Sequence, residues 1–140
     1  MGKQLQPAPD GSTILVVDDD PAVRNSLKFS LEIEGFSVRV YANGMELLKD
    51  SNLPGHGCLV VDYNMPGMTG LDLVDELRHR HFSLPVVLIT THPSDVVRKR
   101  ATAAGVALVE KPLLSGALFL AINDSLARAS ASGIHSNGKT

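Results

Sequence analysis

Five short apolar runs punctuate the chain, starting at residues 14, 36, 58, 86 and 106. Residues 14–17, 58–61, 86–89 and 106–109 are continuous and largely β-branched, as strands buried on both faces of a parallel sheet are. In residues 36–41 Val38 and Val40 alternate with Ser37 and Arg39, the pattern of an edge strand. The segments between the runs carry helical spacing. Asp20 followed by Pro21 reads as an N-cap and first helical residue. Val23, Leu27 and Leu31 then recur every fourth position up to a stop at Gly35. Asn43-Gly44 opens a short second helix with Met45, Leu47 and Leu48. Leu71, Val74 and Leu77 mark a third. Ser94 caps a fourth that ends at Gly105, and a fifth runs from about residue 114 to 127. The alternation predicts an α/β fold, (βα)5, closed by right-handed crossovers into a three-layer sandwich. Its span is residues 13–128. Residues 1–12 are expected to be a flexible arm, and residues 129–140, small and polar, a disordered tail or a linker to a further domain.

Composition narrows the possible functions. The 140 residues suffice for one ordinary domain, with 44% hydrophobic and 20% charged side chains. A net charge of −2 argues against a protein that holds nucleic acid through bulk charge, and no direct nucleic-acid contact is expected. The single cysteine, Cys58, rules out an internal disulfide and reads as inert core. No apolar run nears the ~20 residues of a membrane span, and residues 1–6 lack a signal-peptide core. A cytoplasmic location without a membrane partner is the expectation.

Ligands of an open parallel sheet gather beyond the carboxyl ends of its strands. Asp18, Asp19 and Asp20 follow the first run, Asp62 the third, Thr90 and Thr91 the fourth, and Glu110, Lys111 and Pro112 the fifth. Each is ordinary alone: Asp20 caps a helix, and an Asp-Asp pair or an Asp before Met-Pro-Gly is often a solvated turn. Together they bring a polar group to one edge from four strands of five. Clustered carboxylates raise one another's pKa values unless a cation lies among them. An all-oxygen set with few protein ligands suits Mg²⁺, which leaves Asp18, Asp19, Asp62, Lys111 and the metal neutral together. A carboxylate there can act as nucleophile and form an aspartyl-phosphate, with Thr90 and Lys111 holding the phosphoryl oxygens.

The stretches Ile14-Leu15-Val16-Val17-Asp18-Asp19-Asp20, Leu59-Val60-Val61-Asp62-Tyr63-Asn64-Met65-Pro66-Gly67-Met68-Thr69-Gly70, Val87-Leu88-Ile89-Thr90 and Glu110-Lys111-Pro112 resemble the receiver domain of bacterial two-component response regulators. The resemblance spans residues 13 to 127. It implies a flavodoxin-like receiver fold with a five-stranded parallel sheet of order 2-1-3-4-5. It implies Asp62 as phospho-acceptor, with Thr90 as switch hydroxyl and Lys111 as phosphate contact. It gives Mg²⁺ as cofactor, with Asp19 a direct ligand, Asp18 a ligand through water, and Asp62 and the backbone carbonyl of Asn64 completing the set. The Lys111–Pro112 bond is cis in relatives and expected so here. Two positions depart from the pattern. Leu108 stands where relatives usually carry Tyr or Phe, and Thr91 is bulkier than the usual small residue.

The implied function is a signalling phospho-acceptor. It takes a phosphoryl group from a sensor histidine kinase or phosphotransfer protein and changes a surface bound by a downstream target. It catalyses its own phosphorylation and slow dephosphorylation and is no enzyme otherwise. The alternatives are a receiver fragment of a longer DNA-binding regulator and a small Mg²⁺-dependent phosphatase of related fold. The fifth helix carries Phe119 and Leu120 beyond its core stripe. A homodimer through the fourth helix, fifth strand and fifth helix is therefore expected, with Arg98-Lys99-Arg100 facing Asp124 across the axis.

Overall fold

The computed structural model describes residues 12–111 and 116–139. Ten elements alternate: β1 (Thr13–Val17), α1 (Pro21–Ile33), β2 (Ser37–Tyr41), α2 (Gly44–Lys49), β3 (Gly57–Asp62), α3 (Gly70–His79), β4 (Val86–Thr90), α4 (Asp95–Ala103), β5 (Ala107–Glu110) and α5 (Ala117–Lys139). The strands form one parallel sheet of order β2-β1-β3-β4-β5, the expected order.

Successive strand residues face opposite sides, so each continuous run feeds two cores. Leu15, Val17, Leu59, Val61 and Leu88 pack under α2, α3 and α4 against Leu47, Leu71, Val74, Leu77, Val97 and Ala101. Ile14, Val16, Cys58, Val60, Val87 and Ile89 pack on the other side under α1 and α5 against Leu27, Leu31, Leu118 and Ile122. This makes the three layers. Cys58 lies in the second core, where burial pushes its thiol up to about 12, as its inert role requires. The caps read from the sequence are in place. Asp20 accepts from the Ala22 amide, Asn43 from Glu46 and Ser94 from Val97.

Two glycines fix the approach of elements. Gly57 opens β3 at φ +143°, and a Cβ there would lie 1.9 Å from the Thr13 carbonyl oxygen of β1. Gly57→Ala is expected to destabilise the fold by about 3 kcal/mol, from backbone strain plus overpacking. A lower urea midpoint at unchanged slope checks this. At Gly70 a Cβ would come within 2.7 Å of the Asp62 carbonyl oxygen. The lack of a side chain lets α3 start directly beneath Asp62.

The structure corrects four expectations. The run at residues 106–109 reads as doubly buried, yet β5 begins at Ala107 and is an edge strand, covered only in part by α4 and α5. The segment from residue 129 continues α5 and is not a loose tail, since Ala-Ser-Ala-Ser holds the best helix former and no proline. Phe119 is not surplus. It is half-buried and meets Phe36 edge to face, with ring centroids 6.1 Å apart, while Leu120 is exposed. The two arginines of the basic patch on α4 are paired within the chain: Arg98 bonds Glu110, and Arg100 lies 2.9 Å from Asp75. Asp124 pairs with Arg128 in the same helix. Ion pairs within the chain thus engage the two arginines and the aspartate that a cross-axis contact was to use. The N-terminal arm before Ser12, Leu114 and the Lys111–Pro112 bond with Pro112 lie outside the described residues.

Candidate functional site

The carboxyl ends of β1, β3, β4 and β5 place the candidate residues on one edge. Asp18 and Asp19 follow β1, and Asp62 ends β3. Thr90 ends β4, one residue beyond Ile89, the partner of Asp62 in the sheet register. Lys111 follows β5, its amide donating to the Thr90 carbonyl at 2.8 Å. Asp18, Asp62 and Thr90 are almost fully buried, with relative exposures of 1%, 4% and 1%. Asp19 is exposed. One carboxylate oxygen from each of Asp18, Asp19 and Asp62 lies within 4.8 Å of the others. Lys111 Nζ reaches Asp62 Oδ1 at 3.4 Å and Asp18 Oδ2 at 3.8 Å.

Burial, more than mutual repulsion, sets the electrostatics. It lifts the Asp62 carboxyl above its ordinary value, and the charge of Asp18 adds to that, while Lys111 and the Asn64 amide oppose it. Burial likewise raises Asp18, opposed by the Asp20 amide and then by Lys111. The sequence pattern makes repulsion the cause, because depth at a strand end is a property of the fold. Asp18 Oδ2 is buried without a hydrogen-bond partner. A buried carboxylate oxygen that accepts no hydrogen bond is costly, even with Lys111 3.8 Å away. It lies beside an exposed carboxylate and a second buried one, a donor set that fits a hard divalent cation taking oxygen ligands and keeping several waters.

The other expected residues fall around this cluster. The Asn64 amide donates to Asp62 Oδ1 at 3.3 Å, which places its peptide on the loop that follows Asp62. Leu108 is half-buried against the α3–α4 core, filling apolar space in place of an aromatic ring. Thr91 is exposed. The end of β2, which brings no reactive group, carries Tyr41, whose hydroxyl donates to Asp50 at 2.6 Å.

Arg24 is one residue the sequence pattern leaves unnoticed. Its guanidinium Nη1 donates to the Asp18 carbonyl at 2.9 Å. The available signal is its position. A cation in the first turn of a helix opposes the helix dipole, and α1 has no acidic residue there to offset it. A residue placed against the dipole is to be sought at another partner.

Comparison with known proteins agrees with this architecture. A family model described as response regulator receiver domain matches residues 14–123. The chain is similar to the transcriptional regulatory protein FixJ of Azorhizobium caulinodans, at 36% identity over 127 residues, covering 89% of this chain and 60% of that protein. It is 37% identical to the C4-dicarboxylate transport transcriptional regulatory protein DctR of Rhodobacter capsulatus, covering 71% of this chain and 52% of that one. The chain thus spans only half to three-fifths of the length of these relatives. Among solved structures, the response regulator StyR aligns at a TM-score of 0.80 and 34% identity, over 92% of this chain and 66% of that one. The crystal structure of FixJ-N aligns at 0.75 and 30%, over 83% and 94%. With the sheet order, the acidic strand-end cluster and the family model in agreement over most of its length, the chain belongs to the response regulator receiver domain family.

Proposed function

We propose that this receiver domain is a phosphorylatable switch whose acceptor is Asp62. The observation that carries the reading is the burial of Asp62 at the end of β3, with Lys111 Nζ 3.4 Å away and two further carboxylates within 4.8 Å. An Asp62 oxygen attacks the phosphorus of a kinase or phosphotransfer-protein phosphohistidine. The P–N bond breaks and the imidazole leaves with its electron pair. Lys111 and the Thr90 hydroxyl then hold the phosphoryl oxygens by charge and hydrogen bonding. Asp18, Asp19, Asp62 and the Asn64 carbonyl are the groups that would hold Mg²⁺. When bound, the ion neutralises the crowded carboxylates and orients the incoming phosphoryl group. The domain promotes its own phosphorylation and slow dephosphorylation and turns over no other substrate.

Incubation with acetyl phosphate and Mg²⁺ tests this. The expected product is one aspartyl-phosphate per chain, read by intact mass. Continued release of phosphate over many turnovers without a phosphoprotein would favour the phosphatase alternative instead.

A second reading has its own support. The relatives described as transcriptional regulatory proteins are matched over 60% and 52% of their lengths. The domain then serves as the input part of a longer DNA-binding regulator and itself makes no nucleic-acid contact. A homodimer through α4, β5 and α5 remains the proposed output contact, with Leu120 as its exposed apolar residue, since Phe119 is engaged by Phe36.

A further inference from the structure

We propose that Arg24 is a positioning residue that sets the geometry of the acidic loop and, through it, the affinity for the divalent cation; this rests on the metal reading given above. The loop from Asp18 to Asp20 is held at both ends. The Asp18 amide donates to the Tyr41 carbonyl at 3.2 Å, and Asp18 Oδ1 accepts from the Asp20 amide at 2.9 Å. The Asp18 carbonyl accepts from Arg24 Nη1 at 2.9 Å, and the Arg24 amide donates to the Asp20 carbonyl at 3.0 Å. Every polar group of Asp18 is therefore engaged except Oδ2, the oxygen turned toward Lys111.

Between these two clamped residues sits Asp19, exposed and, among the described residues, without a side-chain hydrogen bond or ion pair. With no such partner among the described residues to hold it, the backbone on either side decides where its carboxylate points. The backbone bond at Arg24 opens α1 as it would with other residues, and the guanidinium adds a side-chain hold on that backbone. The guanidinium forms no ion pair with the three carboxylates, so its effect on the site runs through the Asp18 carbonyl. A charge-assisted bond of this kind is stronger than a neutral one and fixes direction as well as distance. Residues that orient metal ligands without touching the ion typically alter affinity by about 10- to 100-fold.

The test is calorimetric titration of Mg²⁺ into wild type, Arg24→Ala, Arg24→Lys and Asp19→Ala. Urea unfolding of each is measured without metal. Arg24→Ala is expected to weaken Mg²⁺ binding by about tenfold or more. Its phosphorylation by acetyl phosphate should return to near the wild-type rate once Mg²⁺ saturates, so half-saturation moves and the limiting rate does not. Arg24→Lys keeps the charge and stem but not the fork, and is expected to fall between the two. It also serves if the alanine variant fails to fold. Unchanged Mg²⁺ affinity in folded Arg24 variants, with Asp19→Ala strongly weakened, overturns the role of Arg24 alone. Unchanged affinity in Asp19→Ala overturns the metal reading beneath it. A purely structural arginine would lower the urea midpoint and leave the affinity of the folded protein intact.

Discussion

Asp62→Asn is expected to abolish phosphorylation while making the metal-free fold more stable. Removal of a nucleophile costs about a thousandfold or more in rate, and Asn has no carboxylate to attack phosphorus. The gain in stability comes from the same burial. A carboxyl whose folded pKa is raised binds its proton more tightly in the folded chain than in the unfolded one. Its cost is absent below the ordinary value of 3.8 and grows as pH rises through the raised folded value. Asp18 acts in the same direction. Metal-free wild type is therefore expected to lose stability as pH climbs from about 4 toward neutrality. Asp50 and Asp72, whose values are lowered, lose their contribution only below that range. At pH 7 the asparagine variant should gain about 1 kcal/mol, an ordinary size for a single substitution, because the buried charge and its repulsion from Asp18 are both removed. Mass spectrometry for the phosphate and urea unfolding across pH read the two halves. A phosphate retained on Asp62→Asn at the same cluster would show the acceptor misassigned. A flat pH profile with no gain would show that the carboxyl is unstrained.

The second large effect separates two neighbouring carboxylates. Asp19→Ala is expected to lose Mg²⁺ affinity and phosphotransfer together, each by about two orders of magnitude, since on the proposed reading it removes the direct ligand. Its stability should change by no more than about 0.5 kcal/mol, because the side chain is exposed. Asp18→Asn should lose the same functions, yet stabilise the metal-free fold, because Asp18 is buried with one oxygen that accepts no hydrogen bond. Calorimetric Mg²⁺ titration beside urea unfolding reads both. If both variants bind Mg²⁺ as wild type does, the acidic pair is not the ligand set. If their stabilities shift alike, the difference in burial carries no energy.

The paired charges of α4 bear on how the domain could report phosphorylation. Leu108 gives the α4–β5 side an apolar filler, and Arg98–Glu110 ties α4 to the strand that leads into Lys111. The ion pair is half-exposed and so worth little in stability. It does, however, link the basic face of α4 to the edge that carries the candidate site.

Periodicity and strand-end chemistry were enough to read the alternation, the caps at Asp20, Asn43 and Ser94, and the candidates Asp18, Asp19, Asp62, Thr90 and Lys111. These rest on local rules: two-residue and 3.6-residue periods, capping geometry, and the placing of ligands beyond parallel strands. The order of the sheet came from resemblance, since periodicity alone does not say which strands are neighbours. Four matters needed the assembled fold. Burial, and not repulsion, proves the chief cause of the raised Asp62 and Asp18, because depth depends on which elements cover a strand end. Arg24 reaches a carbonyl six residues back only once α1 has folded against the end of β1. Phe119 and the α4 arginines find partners from distant elements, so exposed-looking residues turn out to be engaged. The end of α5 was misjudged because small, polar residues without a core-facing stripe read as a tail, while α5 runs on to Lys139. Pattern fixes what each segment is; contacts between segments decide how deep a group lies and what it meets.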